Sequence, residues 1–151
     1  MLILGFVIEV IIGNVLVKKQ QNFNVFVEIP KQMNLKVLII DDEIDICYLL
    51  SGILKQKNCY TNYVNNLADA TIELKNNCPK IVFLDNHLPD GFGINFVEHI
   101  KNNYPTIKVV MITAYDTTSD RQEALKKGVD IFIGKPFTKE EIANALQTLI
   151  N

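Results

Sequence analysis

Five side chains in this sequence are suited to act together on an anionic group. They are the adjacent carboxylates of Asp41 and Asp42, the single carboxylate of Asp85, the hydroxyl of Thr113 and the ammonium of Lys135. Carboxylates gathered in one crevice repel one another, and a hard divalent cation with oxygen ligands relieves that repulsion; Mg2+ suits a shallow site that keeps several waters. A cation held there favours an anionic substrate. The compact charge of Lys135 and the donor of Thr113 match the oxygens of a transferring phosphoryl group. Asp85 stands alone where Asp41 and Asp42 are paired, so Asp85 is the candidate nucleophile and an acyl phosphate the product. Singly, each residue has a plainer use: an aspartate or threonine after a strand caps a helix or closes a turn, and a lysine before proline sits in a solvated loop. Only convergence makes them a site.

The apolar pattern supplies that convergence. Val37 to Ile40 is a short, mostly β-branched run that predicts a strand buried on both faces, stopped by Asp41-Asp42-Glu43. Ile46, Leu49, Leu50, Ile53 and Leu54 predict the apolar stripe of a first helix. Tyr60 to Val64 predicts a weaker strand, Leu67 to Lys75 a helix, and Lys80 to Leu84 a buried strand ending at Asp85. After Pro89-Asp90-Gly91 a helix is expected from about Ile94 to Asn102, burying Phe96, Val97 and Ile100. Lys108 to Ile112 predicts a strand ending at Thr113, Ser119 to Lys127 a helix closed by Gly128, and Ile131 to Ile133 the last strand before Lys135-Pro136. Thr138 to Glu141 has the form of a capping box, and Ile142, Leu146, Leu149 and Ile150 form the closing stripe.

Strands and helices alternating through short loops imply right-handed βαβ units and a parallel sheet covered on both faces. Ligands of such sheets gather outside the carboxyl ends of the strands. Four strands deliver Asp41-Asp42, Asp85, Thr113 and Lys135 to that one edge, and this coincidence turns individually ordinary residues into a candidate site.

Composition narrows the classes further. The chain has 151 residues, 48% of them hydrophobic and 21% charged, enough apolar side chains for a real core and too many for a disordered chain. Lys and Arg number 15 against 17 Asp and Glu, a net charge of -2 that offers no reason to expect a nucleic-acid partner. Cys47, Cys59 and Cys78 are widely spaced, with no CxxC pair, and read as reduced thiols in a cytoplasmic protein. Residues 1–33 read differently from 34–151. Leu2 to Val17 is an apolar run broken by Glu9 and Gly13-Asn14 and followed by Lys18-Lys19, short and flawed for a membrane span and lacking the flanks of a secretory signal. An extension from an upstream start codon or a poorly packed tail is the favoured reading, a weak anchor the lesser one.

With Asp41-Asp42, Asp85 followed by Leu88-Pro89, Gly93, Thr113-Ala114 and Lys135-Pro136-Phe137 in this order and spacing, the chain resembles the receiver domain of bacterial two-component response regulators over about residues 34 to 151. The resemblance implies an α/β fold, a flavodoxin-like doubly wound sheet of five parallel strands in the order 2-1-3-4-5. It implies that Asp85 takes a phosphoryl group from a sensor histidine kinase or histidine phosphotransfer protein. Asp42, Asp85 and the backbone carbonyl of His87 would hold Mg2+, with Asp41 acting through water, and Thr113 and Lys135 would bind the phosphoryl oxygens. The Lys135-Pro136 bond would be cis. Phe132 matches the aromatic that, with Thr113, changes state on activation. His87 and Tyr115, two residues beyond Asp85 and Thr113, are closer to stand-alone phosphorelay receivers and would line the rim of the site, where bulk slows hydrolysis. Cys47 and Phe92 depart from the common pattern, basic and acidic respectively, and are expected not to touch the chemistry.

The expected function is that of a single-domain switch or relay and not of a turnover enzyme. No output domain is expected, so its effect is expected to pass to a downstream protein on the face of the last strand and last two helices, with neither nucleic acid nor a small-molecule substrate involved. Two rivals share parts of the pattern. A flavodoxin-like carrier would hold phosphate in a glycine- and hydroxyl-rich first loop, which is Asp41-Asp42-Glu43 here. A haloacid-dehalogenase-like phosphatase would need a second acid two residues after the nucleophile, where this chain has His87.

Overall fold

A computed structural model describes residues 8–12, 15–19, 25–28 and 35–150. The chain divides into two units, residues 1–33 and 34–151. In the first, β1 (Ile8–Ile12), β2 (Val15–Lys19) and β3 (Val25–Glu28) form an antiparallel sheet in the order β1-β2-β3. In register, Ile12 pairs with Val15 and Val17 with Val27. Within the stretch read above as one apolar run, the described residues form β1 and the start of β2. Counting apolar residues hides what their types say, since Val and Ile are stiff at χ1 and favour the pleated surface, and a Gly-Asn pair between two such runs is a hairpin signal. The rest of the tail reading lies outside the described residues. No described helix is long and apolar enough to cross a membrane.

The second unit alternates as expected, with element boundaries within two residues of the expected ones. It runs β4 (Leu35–Ile40), α1 (Ile44–Lys55), β5 (Cys59–Val64), α2 (Leu67–Asn77) and β6 (Ile81–Asp85). A short hairpin of β7 (His87–Leu88) and β8 (Gly91–Phe92) comes next, a feature the apolar pattern does not announce. Then follow α3 (Gly93–Asn103), β9 (Lys108–Thr113), α4 (Thr118–Lys126), β10 (Ile131–Gly134) and α5 (Lys139–Ile150). The sheet is parallel throughout, in the order β5-β4-β6-β9-β10, which is 2-1-3-4-5 within this unit.

Period-two alternation splits the core into two layers. Val37, Ile39, Phe83, Val110 and Ile112 meet Cys47, Leu50, Leu54, Ile142 and Leu146 of α1 and α5. Leu38, Ile40, Val82, Leu84 and Met111 meet Ala70, Leu74, Phe96, Val97, Ile100 and Ala124 of α2, α3 and α4. Two stripe residues are corrected: Leu49 and Ile150 are exposed, and Cys47 and Ala145 are in the core instead. The buried stripe is narrower than the apolar one, because each helix shows the sheet only the positions that share one side at the 3.6 period.

Candidate functional site

Strand register sets the site. Ile40 pairs with Leu84, so Asp41 and Asp85 leave neighbouring strands at the same level. Asp85 pairs with Ile112, one residue before Thr113, and Thr113 pairs with Gly134, one residue before Lys135. The amide of Lys135 donates to the Thr113 carbonyl at 2.8 Å, carrying the chain past the sheet edge, and the Lys135-Pro136 peptide is cis. The five predicted residues are thus brought together at one edge.

Their contacts follow from charge. Lys135 Nζ lies 3.0 Å from Asp41 Oδ2, 3.2 Å from Asp85 Oδ1 and 2.8 Å from Glu43 Oε1. Burial alone would push the Lys135 ammonium down, but its hydrogen bonds to Glu43 and Asp41 and the attraction of Asp85 outweigh that and hold its pKa above the ordinary lysine value. Asp41, 2% exposed, is raised by burial in spite of the hydrogen bonds it accepts from Glu43 and Lys135. Its Oδ1 accepts the Glu43 amide at 2.9 Å at the start of α1, so both oxygens are oriented. Asp85 Oδ2 accepts the His87 amide at 2.8 Å. Thr113, buried at its strand end, accepts the Tyr115 amide on Oγ1 at 3.2 Å.

One carboxylate oxygen from each of Asp41, Asp42 and Asp85 can be chosen so that all lie within 4.8 Å of one another. Asp42 is exposed and the other two buried. An all-oxygen, multiply anionic donor set open to water on one side fits a hard divalent cation that retains part of its hydration, as Mg2+ does.

The turn beyond Asp85 is close-packed. A Cβ on Gly93 would collide with the Asp85 carbonyl oxygen, so only glycine lets α3 start this near the end of β6. Asn86 ties that start down, accepting the Gly93 amide on its carbonyl at 2.8 Å and the Ile94 amide on its side chain at 2.9 Å. At the rim, the His87 ring lies tilted against Tyr115, centroids 4.6 Å apart, and edge-on to Phe92 at 5.5 Å. Phe132 is half-buried and helps line a small cleft with Thr113, Met111 and Asn86.

Several participants escaped the sequence reading. Glu43 is a third acidic partner of Lys135, although it stands in the acidic triplet that ends β4. Cys47, expected not to touch the chemistry, donates its thiol to the Asp41 backbone carbonyl at 3.3 Å, and burial and the Asp41 charge push that thiol up to about 11. Asn65 donates to the same carbonyl at 2.7 Å. Phe92, also expected not to touch the chemistry, packs on His87. Arg121 makes a two-armed ion pair with Asp116 and lies 4.9 Å over the Phe132 ring. None of these has a spacing signal, because each meets its partner only through the fold.

The response regulator receiver domain model matches residues 37–147. The phosphate regulon transcriptional regulatory protein PhoB of Escherichia coli is 31% identical over 117 residues, covering 76% of this chain and 51% of PhoB. This chain therefore spans about half the length of that relative. Protein PilG of Pseudomonas aeruginosa is 30% identical over 115 residues, covering 75% of this chain and 85% of PilG. Among solved structures, the receiver domain of NtrX from Brucella abortus superposes with a TM-score of 0.71 at 28% identity, over 76% of this chain and 97% of that one. With the doubly wound sheet, the acidic edge and these matches, the chain belongs to the response regulator receiver domain family.

Proposed function

We propose that this receiver domain accepts a phosphoryl group on Asp85 from a phosphohistidine donor in a Mg2+-dependent reaction and then alters binding to a partner or passes the group on. The observation that carries the proposal is the single ammonium of Lys135 set between the buried carboxylates of Asp41 and Asp85. Bound at Asp41, Asp42, Asp85 and the His87 carbonyl, Mg2+ would screen the carboxylates and the incoming phosphoryl charge. Asp85 attacks phosphorus through a carboxylate oxygen; a P–O bond forms as the donor's P–N bond breaks, and the leaving imidazole takes up a proton. Lys135 and Thr113 then hold the phosphoryl oxygens, Lys135 exchanging a carboxylate partner for the new anion. Phe132 beside Thr113 is the proposed reporter of that exchange.

The cycle makes Asp85 a stoichiometric acceptor, so the protein is proposed as a signalling switch and not a turnover enzyme. A histidine kinase or phosphotransfer protein is the proposed donor, and a protein bound on β10, α4 and α5 the proposed receiver of the signal, in the cytoplasm. His87 and Tyr115 at the rim are proposed to restrict the water that attacks the Asp85 phosphorus in line, giving a long-lived phosphorylated state. Incubation with acetyl phosphate and Mg2+ is expected to add one phosphoryl group to the wild-type chain and none to Asp85→Asn. Label retained by that variant would put the acceptor elsewhere. Negligible turnover of a chromogenic phosphate ester is expected, against the phosphatase alternative.

A further inference from the structure

We infer that Phe92 is a positioning residue of this site, holding the His87 ring against Tyr115 so that paired rings cover the approach of hydrolytic water to Asp85; the inference rests on the phosphoacceptor reading above.

Phe92 occupies the N-cap of α3, where Ser, Thr, Asp or Asn would ordinarily accept a backbone hydrogen bond, and it makes no cap bond. The residue is 54% exposed, so the core does not explain it either. The hairpin does. His87 of β7 pairs directly with Phe92 of β8, a cross-strand position at which two rings on one face meet. The rings stand edge to face, 83° between planes, and the imidazole also meets Tyr115, centroids 4.6 Å apart. Phe92 and Tyr115 therefore both contact His87.

The hairpin is held firmly enough to aim such a pair. Asp90 at its tip accepts the amides of Leu67 and Ala68, each at 2.9 Å, at the first turn of α2. Gly91 has a φ of 157° and passes so close to Leu67 that a Cβ would lie 3.1 Å from its Cδ1. At the base, Asn86 binds the amides of Gly93 and Ile94. On the other side, the Tyr115 amide is tied to the Thr113 hydroxyl. The two anchored segments bring their rings together over the turn whose His87 amide binds Asp85. Removing Phe92 leaves His87 free to swing from Tyr115 without touching Asp85, Thr113 or Lys135.

The test uses the full chain, phosphorylated with acetyl phosphate and Mg2+ and freed of donor, and follows the decay of phosphoaspartate. Phe92→Ala and Phe92→Leu are expected to reach the same stoichiometry as wild type, which certifies their fold, and to lose the group about tenfold faster. Phe92→Tyr, which keeps a ring, is expected to match wild type. Phe92→Ala with Tyr115→Ala is expected to decay little faster than the faster single variant, because both remove one arrangement. In the unphosphorylated chain the His87 Hε1 proton resonance is expected to move in Phe92→Ala and not in Phe92→Tyr. A wild-type lifetime in Phe92→Ala, multiplying effects in the double variant, or an unmoved His87 proton overturns the inference. A chain that takes no phosphoryl group overturns the phosphoacceptor reading itself, and the inference with it.

Discussion

Lys135 is the residue on which the electrostatics of the site turn, since one ammonium serves three carboxylates, two of them buried. Removing one partner of a buried ionic group leaves the remaining charges uncompensated, so Lys135→Met is expected to cost about 3 kcal/mol of stability at neutral pH. The loss should shrink in acid, as Asp41, raised by burial, takes up a proton, and shrink on adding Mg2+. Thermal unfolding against pH and Mg2+ measures both, and a loss indifferent to Mg2+ would count against cation binding at the carboxylates. Asp42 is exposed, so Asp42→Ala is expected to fold normally while losing Mg2+ binding and phosphoryl uptake. Gly93→Ala forces a methyl against the Asp85 carbonyl oxygen. It is expected to cost about 1–3 kcal/mol and to slow phosphoryl uptake by displacing Asp85, the proposed acceptor, as denaturant titration and labelling would show.

The helices are held very unequally. Only Ala124 of α4 is fully buried, whereas α1 buries Cys47, Leu50, Ser51, Ile53 and Leu54. Polar contacts secure α4 instead: the Thr117–Asp120 capping box, Lys127 on Asn95 at 2.9 Å, and Arg121 on Asp116. Gly134 makes room for that last pair, because a Cβ there would lie 2.5 Å from Asp116 Oδ2. Few apolar contacts mean low local stability, so α4 amides are expected to exchange fastest among the helices, faster still in Arg121→Gln. Equal protection of α1 and α4 in hydrogen exchange would refute this.

Across the whole second unit, Asp130 plays the opposite part at the far edge of the sheet. It accepts Lys101 at 2.6 Å, Lys108 at 3.2 Å and the Val109 amide at 2.8 Å, joining α3, β9 and the turn before β10. Burial alone would raise its pKa, but these hydrogen bonds prevail and hold it below the ordinary value of 3.8. A carboxylate depressed on folding adds stability that is present above its unfolded pKa and lost as pH falls through the folded one. Asp130→Ala is therefore expected to cost about 1–3 kcal/mol at neutral pH, with the difference from wild type closing below about pH 4. Unfolding free energies from pH 7 to pH 2 decide it. Both core layers lie within residues 34–151, so a chain beginning at Met33 is expected to unfold cooperatively and accept one phosphoryl group. Insoluble expression of that chain would give residues 1–32 a folding role.

By itself the sequence determined the alternation of strands and helices and the edge at which Asp41, Asp42, Asp85, Thr113 and Lys135 meet. Both follow from local periodicity, and parallel strands ending in polar residues have one carboxyl edge to which those residues are delivered. It left the N-terminal strands undetected, because a mixed apolar run looks alike to a strand and an anchor until its β-branched residues and its Gly-Asn break are weighed. Tertiary structure alone decided which apolar positions face the sheet, so that Cys47 is buried and Leu49 is not. It also placed Glu43 on Lys135, Asp90 on the first turn of α2 and Phe92 on His87. Such contacts join residues whose separation along the chain carries no period, and what selects them is the fit of anchored segments in space.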